Sequence, residues 1–261
     1  MTSAAYTMDA SVGSIGGISS AGGDTAKHGY VGQLADVTSV SVTGTPVSVN
    51  ETATSQLSGT ATMDDATATA LSGSDLSWTA PVYPITSING SGLATASAVY
   101  STTNGTFSGS YLGGSGSGLL TVVDSLPDNF GSYAGDGIPD SWQNQYFGLN
   151  NPNAAPGVDA DGTGQNNLFK YVAGLDPTNP ASVFVLLIQN VTGQPTQKKL
   201  LFNPEVSGRT YTAESRTDLV SGSYVALTGF SGPVTNVNQV TVTDLNATQP
   251  NKFYRIHISL P

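Results

Sequence analysis

The residues best suited to chemistry in this chain are carboxylates and amides set at alternate positions of short glycine-containing loops. In Asp159-Ala160-Asp161-Gly162-Thr163-Gly164-Gln165-Asn166-Asn167, oxygen donors fall at Asp159, Asp161 and Thr163, positions 1, 3 and 5 of a cation-binding loop. Gly164 takes position 6, where such a loop turns sharply; Gln165 offers its carbonyl at position 7 and Asn167 falls at position 9. A hard cation such as Ca2+ gathers six to eight oxygens, and alternate side chains of a tight loop can converge on it. Position 12 departs from the pattern. Lys170 stands where the geometry wants a bidentate Glu, and its charge repels a metal ion. An earlier stretch reads as the second half of a similar loop, with Asp136, the Ile138 carbonyl and Asp140 at positions 5, 7 and 9. Its positions 1 and 3 are Ser132 and Ala134. The expected cofactor is Ca2+, held by these eight residues. The competing reading is that Asp, Asn and Gly here only cap helices and make turns.

Other chemistries find little footing. With no Cys, the chain has no disulfide, thiol nucleophile or cysteine zinc site. His28 lies in a glycine-rich stretch, and His257 alternates with Ile256 and Ile258 as a strand residue facing solvent. Gly114-Ser115-Gly116-Ser117-Gly118 looks like a nucleophile elbow only in spelling, because no helix follows; it reads as a hairpin loop. The three Glu residues, Glu51, Glu205 and Glu214, are too scattered to suggest a carboxylate pair in one cleft. No enzyme activity is expected. A net charge of −10 removes the basic footprint that a nucleic-acid partner requires.

The elements that must position the acidic loops are mostly strands. The chain has 261 residues, 10% charged and 38% hydrophobic, with 31 Gly and 14 Pro, and no run approaches the ~20 apolar residues of a membrane span. Four segments follow from composition. Residues 1–34 are rich in Gly, Ser and Ala, and Tyr6, Met8, Ala10 and Val12 alternate with small or polar neighbours, the period of a half-buried strand. Residues 35–123 carry short alternating runs (Val40/Val42, Val47/Val49, Leu76/Trp78, Ile85/Ile88, Phe107/Tyr111, Leu120/Val122) between turn signals, as in a β-sandwich with Trp78 between its sheets. Residues 124–182 hold seven acids against the single base Lys170. Two short helices are predicted there, one starting near Pro139 and ending at Gly148, the other following Asn166 and ending at Gly174. Residues 183–261 return to strands, with Pro233 and Pro250 and their neighbours marking loops, and read as a second sandwich. The expected fold is therefore mainly β: two sandwiches joined by an acidic loop–helix module, preceded by an extended N-terminal strand.

The middle of residues 35–123, where Trp78 precedes Ile85-Thr86-Ser87-Ile88-Asn89-Gly90-Ser91-Gly92-Leu93-Ala94, resembles bacterial Ig-like domains of group 2. That resemblance implies a spacer or adhesive module without chemistry of its own. The two acidic stretches resemble the calcium repeats of thrombospondin type 3-like and dockerin-like modules, in which two loop–helix halves pack together. It extends to Asp136, Asp140, Asp159, Asp161, Thr163 and Asn167, and fails at Ser132, Ala134, Gln143 and Lys170. The overall order, with Ser14–Leu34, Gly135–Gly148, Thr210-Tyr211-Thr212, Thr217-Asp218-Leu219 and Phe253-Tyr254-Arg255, is similar to a type of secreted protein of environmental bacteria. It implies an exported, non-enzymatic protein.

These readings lead to a functional expectation. The opening residues lack a basic-plus-apolar leader, so the chain is either cytoplasmic or already processed. Its Ser, Thr, Gly and Asn content, similar to that of secreted bacterial surface proteins, points to an extracellular or cell-surface protein with its signal peptide removed. The strand at Tyr6–Val12 is expected to complete a sheet in a neighbouring copy, building a filament or surface assembly head to tail. Burying Tyr6, Met8 and Val12 would contribute ~1.5–3 kcal/mol each. Calcium would stiffen the acidic linker. The alternative is a monomeric cell-surface adhesive or polysaccharide-binding module with a glycan as its partner.

Overall fold

A computed structural model describes residues 17–21, 24–28 and 36–261. The donor-type residues Tyr6, Met8, Ala10 and Val12 lie outside them. The protein is mainly β and divides into two compact units, Met1–Ser125 and Leu126–Pro261. Among the described residues, no helix is long and apolar enough to cross a membrane.

The first unit opens with a short antiparallel hairpin of β1 (Gly17–Ala21) and β2 (Asp24–His28). Its main body is a sandwich. One sheet runs β3 (Val37–Thr45), β5 (Thr54–Met63), β9 (Leu93–Ala96), β8 (Ile85–Ile88), with β6 (Ala68–Leu71) also paired to β5. The other runs β4 (Ser48–Asn50), β11 (Gly114–Val123), β10 (Thr103–Tyr111), β7 (Ser77–Trp78), with β4 and β11 parallel. Alternate residues of these strands meet in one core that includes Val40, Val42, Leu57, Ala61, Ile85, Phe107, Leu120 and Val122. Trp78 packs at its margin, edge-on to Phe107, and its Nε1 donates to the Gly73 carbonyl at 2.9 Å. Glu51 is buried at the end of this body. Its carboxylate accepts from the Val99 N–H (3.1 Å) and the Ser125 N–H (3.0 Å).

The Gly114–Gly118 run corrects the hairpin-loop expectation. It is strand interior, paired residue for residue from Tyr111↔Gly114 to Phe107↔Gly118, and the turn is Leu112-Gly113. The glycines face inward because the opposite sheet comes close. A Cβ on Gly116 would lie 2.2 Å from the Val40 carbonyl oxygen and one on Gly118 2.9 Å from the Val42 carbonyl oxygen, both on β3. The latter would also lie 2.5 Å from the ring of Phe107, the cross-strand partner of Gly118. Alternating serines face out, and Ser108 and Ser117 share a hydroxyl hydrogen bond of 2.7 Å.

The second unit begins with the acidic segment, which carries α1 (Asp140–Phe147) and α2 (Asn167–Ala173) where the capping residues predict them. Asn166 caps α2 by accepting from the Phe169 N–H at 2.9 Å, and Gly174 ends it in the left-handed conformation. Two sheets follow: β12 (Val185–Val191), β13 (Gln194–Asn203), β17 (Gln239–Asp244), β16 (Phe230–Asn236) in one, and β15 (Val225–Ala226), β14 (Thr210–Arg216), β18 (Phe253–Ser259) in the other. Strand β16 runs through Pro233, which the composition marks as loop. A register shift between Ser231 and Val234 accommodates it at the sheet edge, where a missing N–H costs no ladder bond. The core between these sheets holds Phe202, Leu227, Val240 and Val242, with Tyr211, Tyr254 and Ile256 half-buried against it.

The acidic segment is built into this unit. Gln165 bonds both backbone groups of Phe184 (3.0 and 2.7 Å), Phe169 meets Phe184 edge-on, and Arg209 donates to the Tyr171 carbonyl at 3.2 Å. Residues 124–125 go with the first unit, and 126–182 with the strands that follow.

Candidate functional site

Both acidic loops are held by hydrogen bonds that the loop's own backbone N–H groups donate to a carboxylate. In the second loop Asp159 accepts from the N–H groups of Thr163 (3.0 Å) and Gly164 (2.6 Å), which closes the turn. Asp161 accepts from the Thr163 hydroxyl at 2.7 Å and from the Lys170 ammonium, which also donates to the Ser182 carbonyl at 3.1 Å. The side chains of Lys170 and Asp161 are each 1% exposed. Burial alone would raise the Asp161 carboxyl, but the hydrogen bonds from Lys170 and Thr163 and the ammonium charge hold it below its ordinary 3.8.

In the first loop the role of Asp159 falls to Asp128, a residue that counting twelve-residue loops does not select. Its Oδ1 accepts from Gly135 N–H (2.7 Å) and Asp136 N–H (3.1 Å), and its Oδ2 from Gly137 N–H (2.8 Å). The signal was an acid seven to nine residues ahead of Gly135-Asp136-Gly137, obscured by the longer intervening loop. Asp136 accepts from Ile138 N–H (3.0 Å) and from Gln143 Nε2 (2.7 Å). Asp140 holds the preceding turn down by accepting from the N–H groups of Asn129 and Phe130, both at 2.7 Å. The Ile138 side chain is fully buried.

Two buried amides join the halves. Gln143 donates to the Ala154 carbonyl at 3.0 Å, while Asn167 donates to the carbonyls of Asn153 (2.7 Å) and Ala155 (2.9 Å). The turn between the helices is thus gripped by α1 and by α2. Trp142 adds an edge-on contact with Tyr171 at 5.6 Å.

Tested against a calcium ion, the second loop does not fit at position 12. Calcium needs converging oxygens, and the loop geometry asks for a carboxylate at position 12. Position 12 carries no carboxylate in either loop: the Gln143 amide donates to Asp136 while its Oε1 is buried without a hydrogen-bond partner, and the Lys170 ammonium is turned to Asp161. Gln165 is committed to Phe184, and Asn167 presents its N–H groups to backbone carbonyls while its Oδ1 is buried without a hydrogen-bond partner. Among the described residues, no three Asp, Glu or His side chains gather where they could hold a metal.

The second unit also carries an open seam. Strand β15 pairs with β14 only at Glu214 and Ser215, and one further bond runs from Leu227 N–H to the Ala213 carbonyl (2.8 Å). On that side, no strand among the described residues pairs with Thr210–Thr212. Strand β16, the edge of the other sheet, is exposed along all seven residues, with Phe230 45% and Val234 64% exposed. Between these edges lies a cavity of about 520 Å3, lined by Tyr211, Ala213, Leu227, Phe230, Val240 and Val242 among others, with Glu205 and Arg209 also on its wall. His257 is exposed on β18, 3.9 Å from Glu214. No family model matches this chain, and the search of curated proteins finds none that matches it.

Proposed function

We propose that this protein is a non-enzymatic building block of an extracellular filament or surface assembly, and that the seam of its second unit accepts the N-terminal strand of a neighbouring copy. The supporting observation is a pair of strand edges, unpaired among the described residues, that flank an apolar cavity. A sandwich with two free edges and a channel between its sheets is receptive to β-strand addition, in which main-chain bonds give affinity and alternate side chains fill pockets. The segment Tyr6–Val12 has the matching character: apolar side chains at every second position, one charge, and glycines immediately after it. Given head to tail, such a strand does not close into a ring and propagates a polymer.

The test compares three proteins by electron microscopy and sedimentation: the full chain, a chain lacking residues 1–20, and Phe230→Asp, which puts a charge on an exposed wall of the seam. Assemblies are expected from the full chain and from neither variant. Persistence of assemblies in both variants, or their absence from the full chain, rules the reading out. In the latter case binding to a glycan array becomes the decisive experiment for the adhesive alternative.

A further inference from the structure

We infer that Lys170 is a cation built into the second acidic loop: its ammonium stands in for a divalent ion, and the loop–helix module keeps its shape without metal. This inference does not depend on the strand-acceptor reading.

A lysine is almost never fully buried unless its charge is met. Lys170 is fully buried on α2, and its ammonium is met by the carboxylate of Asp161 and the carbonyl of Ser182 (3.1 Å). Asp161 is position 3 of the loop and Lys170 is position 12, two of the places from which a bound calcium would draw carboxylate oxygens. A Glu at position 12 would set two carboxylates face to face in a buried site, an arrangement stable only with a cation between them. Lysine inverts the sign at that position, so the pair is neutral by itself. The rest of the loop supports the same end. Asp159 closes the turn through Thr163 and Gly164 N–H groups, and the Thr163 hydroxyl supplies Asp161 with a second donor. The ammonium also reaches the chain beyond α2 at Ser182, so one positive charge ties the loop, the helix and the entry to β12 together, as a metal ion would.

An ordinary structural ion pair would share the metal independence of this site but not its latent affinity, so the experiment must separate the two. Thermal melting of the full chain, followed by the Trp142 signal, compares wild type, K170Q and K170E in EDTA, in excess CaCl2 and in MgCl2 of equal ionic strength. Wild type is expected to melt at one temperature in all three media. K170Q, which leaves Asp161 without its counter-charge, is expected to melt lower. K170E is expected to melt lowest in EDTA and to recover in CaCl2 more than in MgCl2, because Asp159, Asp161, Thr163 and the new carboxylate then surround a real ion. A calcium-dependent rise in wild type overturns the inference, as does K170Q melting level with wild type. So does K170E gaining nothing from calcium. If K170E is unfolded in EDTA, its refolding in CaCl2 but not in MgCl2 supports the inference, and failure to refold in either overturns it.

Discussion

The two sandwiches of this chain are assembled from similar residues yet differ in how completely they close. The first buries fourteen apolar side chains in one core, and its glycine-lined strand presses so near the opposite sheet that no Cβ would fit. The second gathers only four in its core cluster, leaves β16 exposed from end to end, and retains a cavity of about 520 Å3. It offsets the smaller core with polar cross-links. Asp244, fully buried, accepts from Lys252 (2.6 Å), Tyr254 (2.7 Å) and the Asn246 N–H (2.9 Å). Close packing leaves nothing for a partner to add, whereas an incomplete sandwich held by hydrogen bonds has both stability and an unfilled position.

The contrast can be broken most forcefully at matched aromatic residues. The two Trp residues, Trp78 and Trp142, fall one in each unit, so single-Trp variants report on each separately in denaturant. Phe107→Ala is expected to cost the first unit about 3–5 kcal/mol, because its walls cannot collapse. Phe202→Ala, beside the cavity, is expected to cost the second unit less. Equal losses would show that the seam does not relax.

Next in size is Asp244→Asn, expected to cost the second unit about 1–3 kcal/mol at neutral pH by weakening a buried charged cluster. Burial pushes the Asp244 carboxyl up, but the hydrogen bonds from Lys252, Tyr254 and Asn246 hold it below 3.8. A carboxyl held lower in the folded state stabilises it above the unfolded value, and that stability is lost as pH falls through the folded one. Asp161 behaves likewise, so the Trp142 transition should weaken from about pH 4 downward, and D244N should flatten that limb. Asp124 in the first unit has the opposite sign. Burial first, and the Glu51 charge second, raise it, so the stability associated with it is lost as pH rises through its folded value. Asp124→Asn should therefore leave the Trp78 transition unharmed near neutral pH.

Gly116→Ala is expected to destabilise the first unit by about 1–3 kcal/mol, since the added methyl meets the Val40 carbonyl. The smallest effect should come from filling the seam. Ala226→Leu places a larger side chain on the cavity wall and is expected to be neutral or to stabilise by up to about 1 kcal/mol. The same kind of enlargement thus has opposite signs in the two bodies, which guanidinium titrations can read.

Much of the β architecture was legible because alternation at Val40/Val42, Ile85/Ile88 and Leu120/Val122 marks inward faces. Strand β5 escaped notice because its buried positions are Ser55, Leu57 and Ala61, too small to stand out against the neighbouring Thr and Ser. Strand β16 escaped because Pro233 reads as a loop until the edge position and register shift are seen. Both helices could be read from Pro139, Gly148, Asn166 and Gly174. Inside the acidic loops, spacing found Asp159, Asp161 and Asp136 but passed over Asp128, which reaches its loop from outside the twelve-residue frame. Lys170 was noticed only as a mismatch, because sequence spacing cannot show that its ammonium turns inward to Asp161.

Glu51 carries a consequence for how the molecule can be divided. One oxygen takes the amide of Val99 and the other the amide of Ser125, so the first body fastens its own final residue from within. A fragment cut after Ser125 retains both anchors, whereas one cut only a few residues earlier takes the Ser125 amide away from the buried carboxylate. The modular boundary is thereby set by a single acid, and any shuffling of this unit between longer chains must carry the two amides along with it.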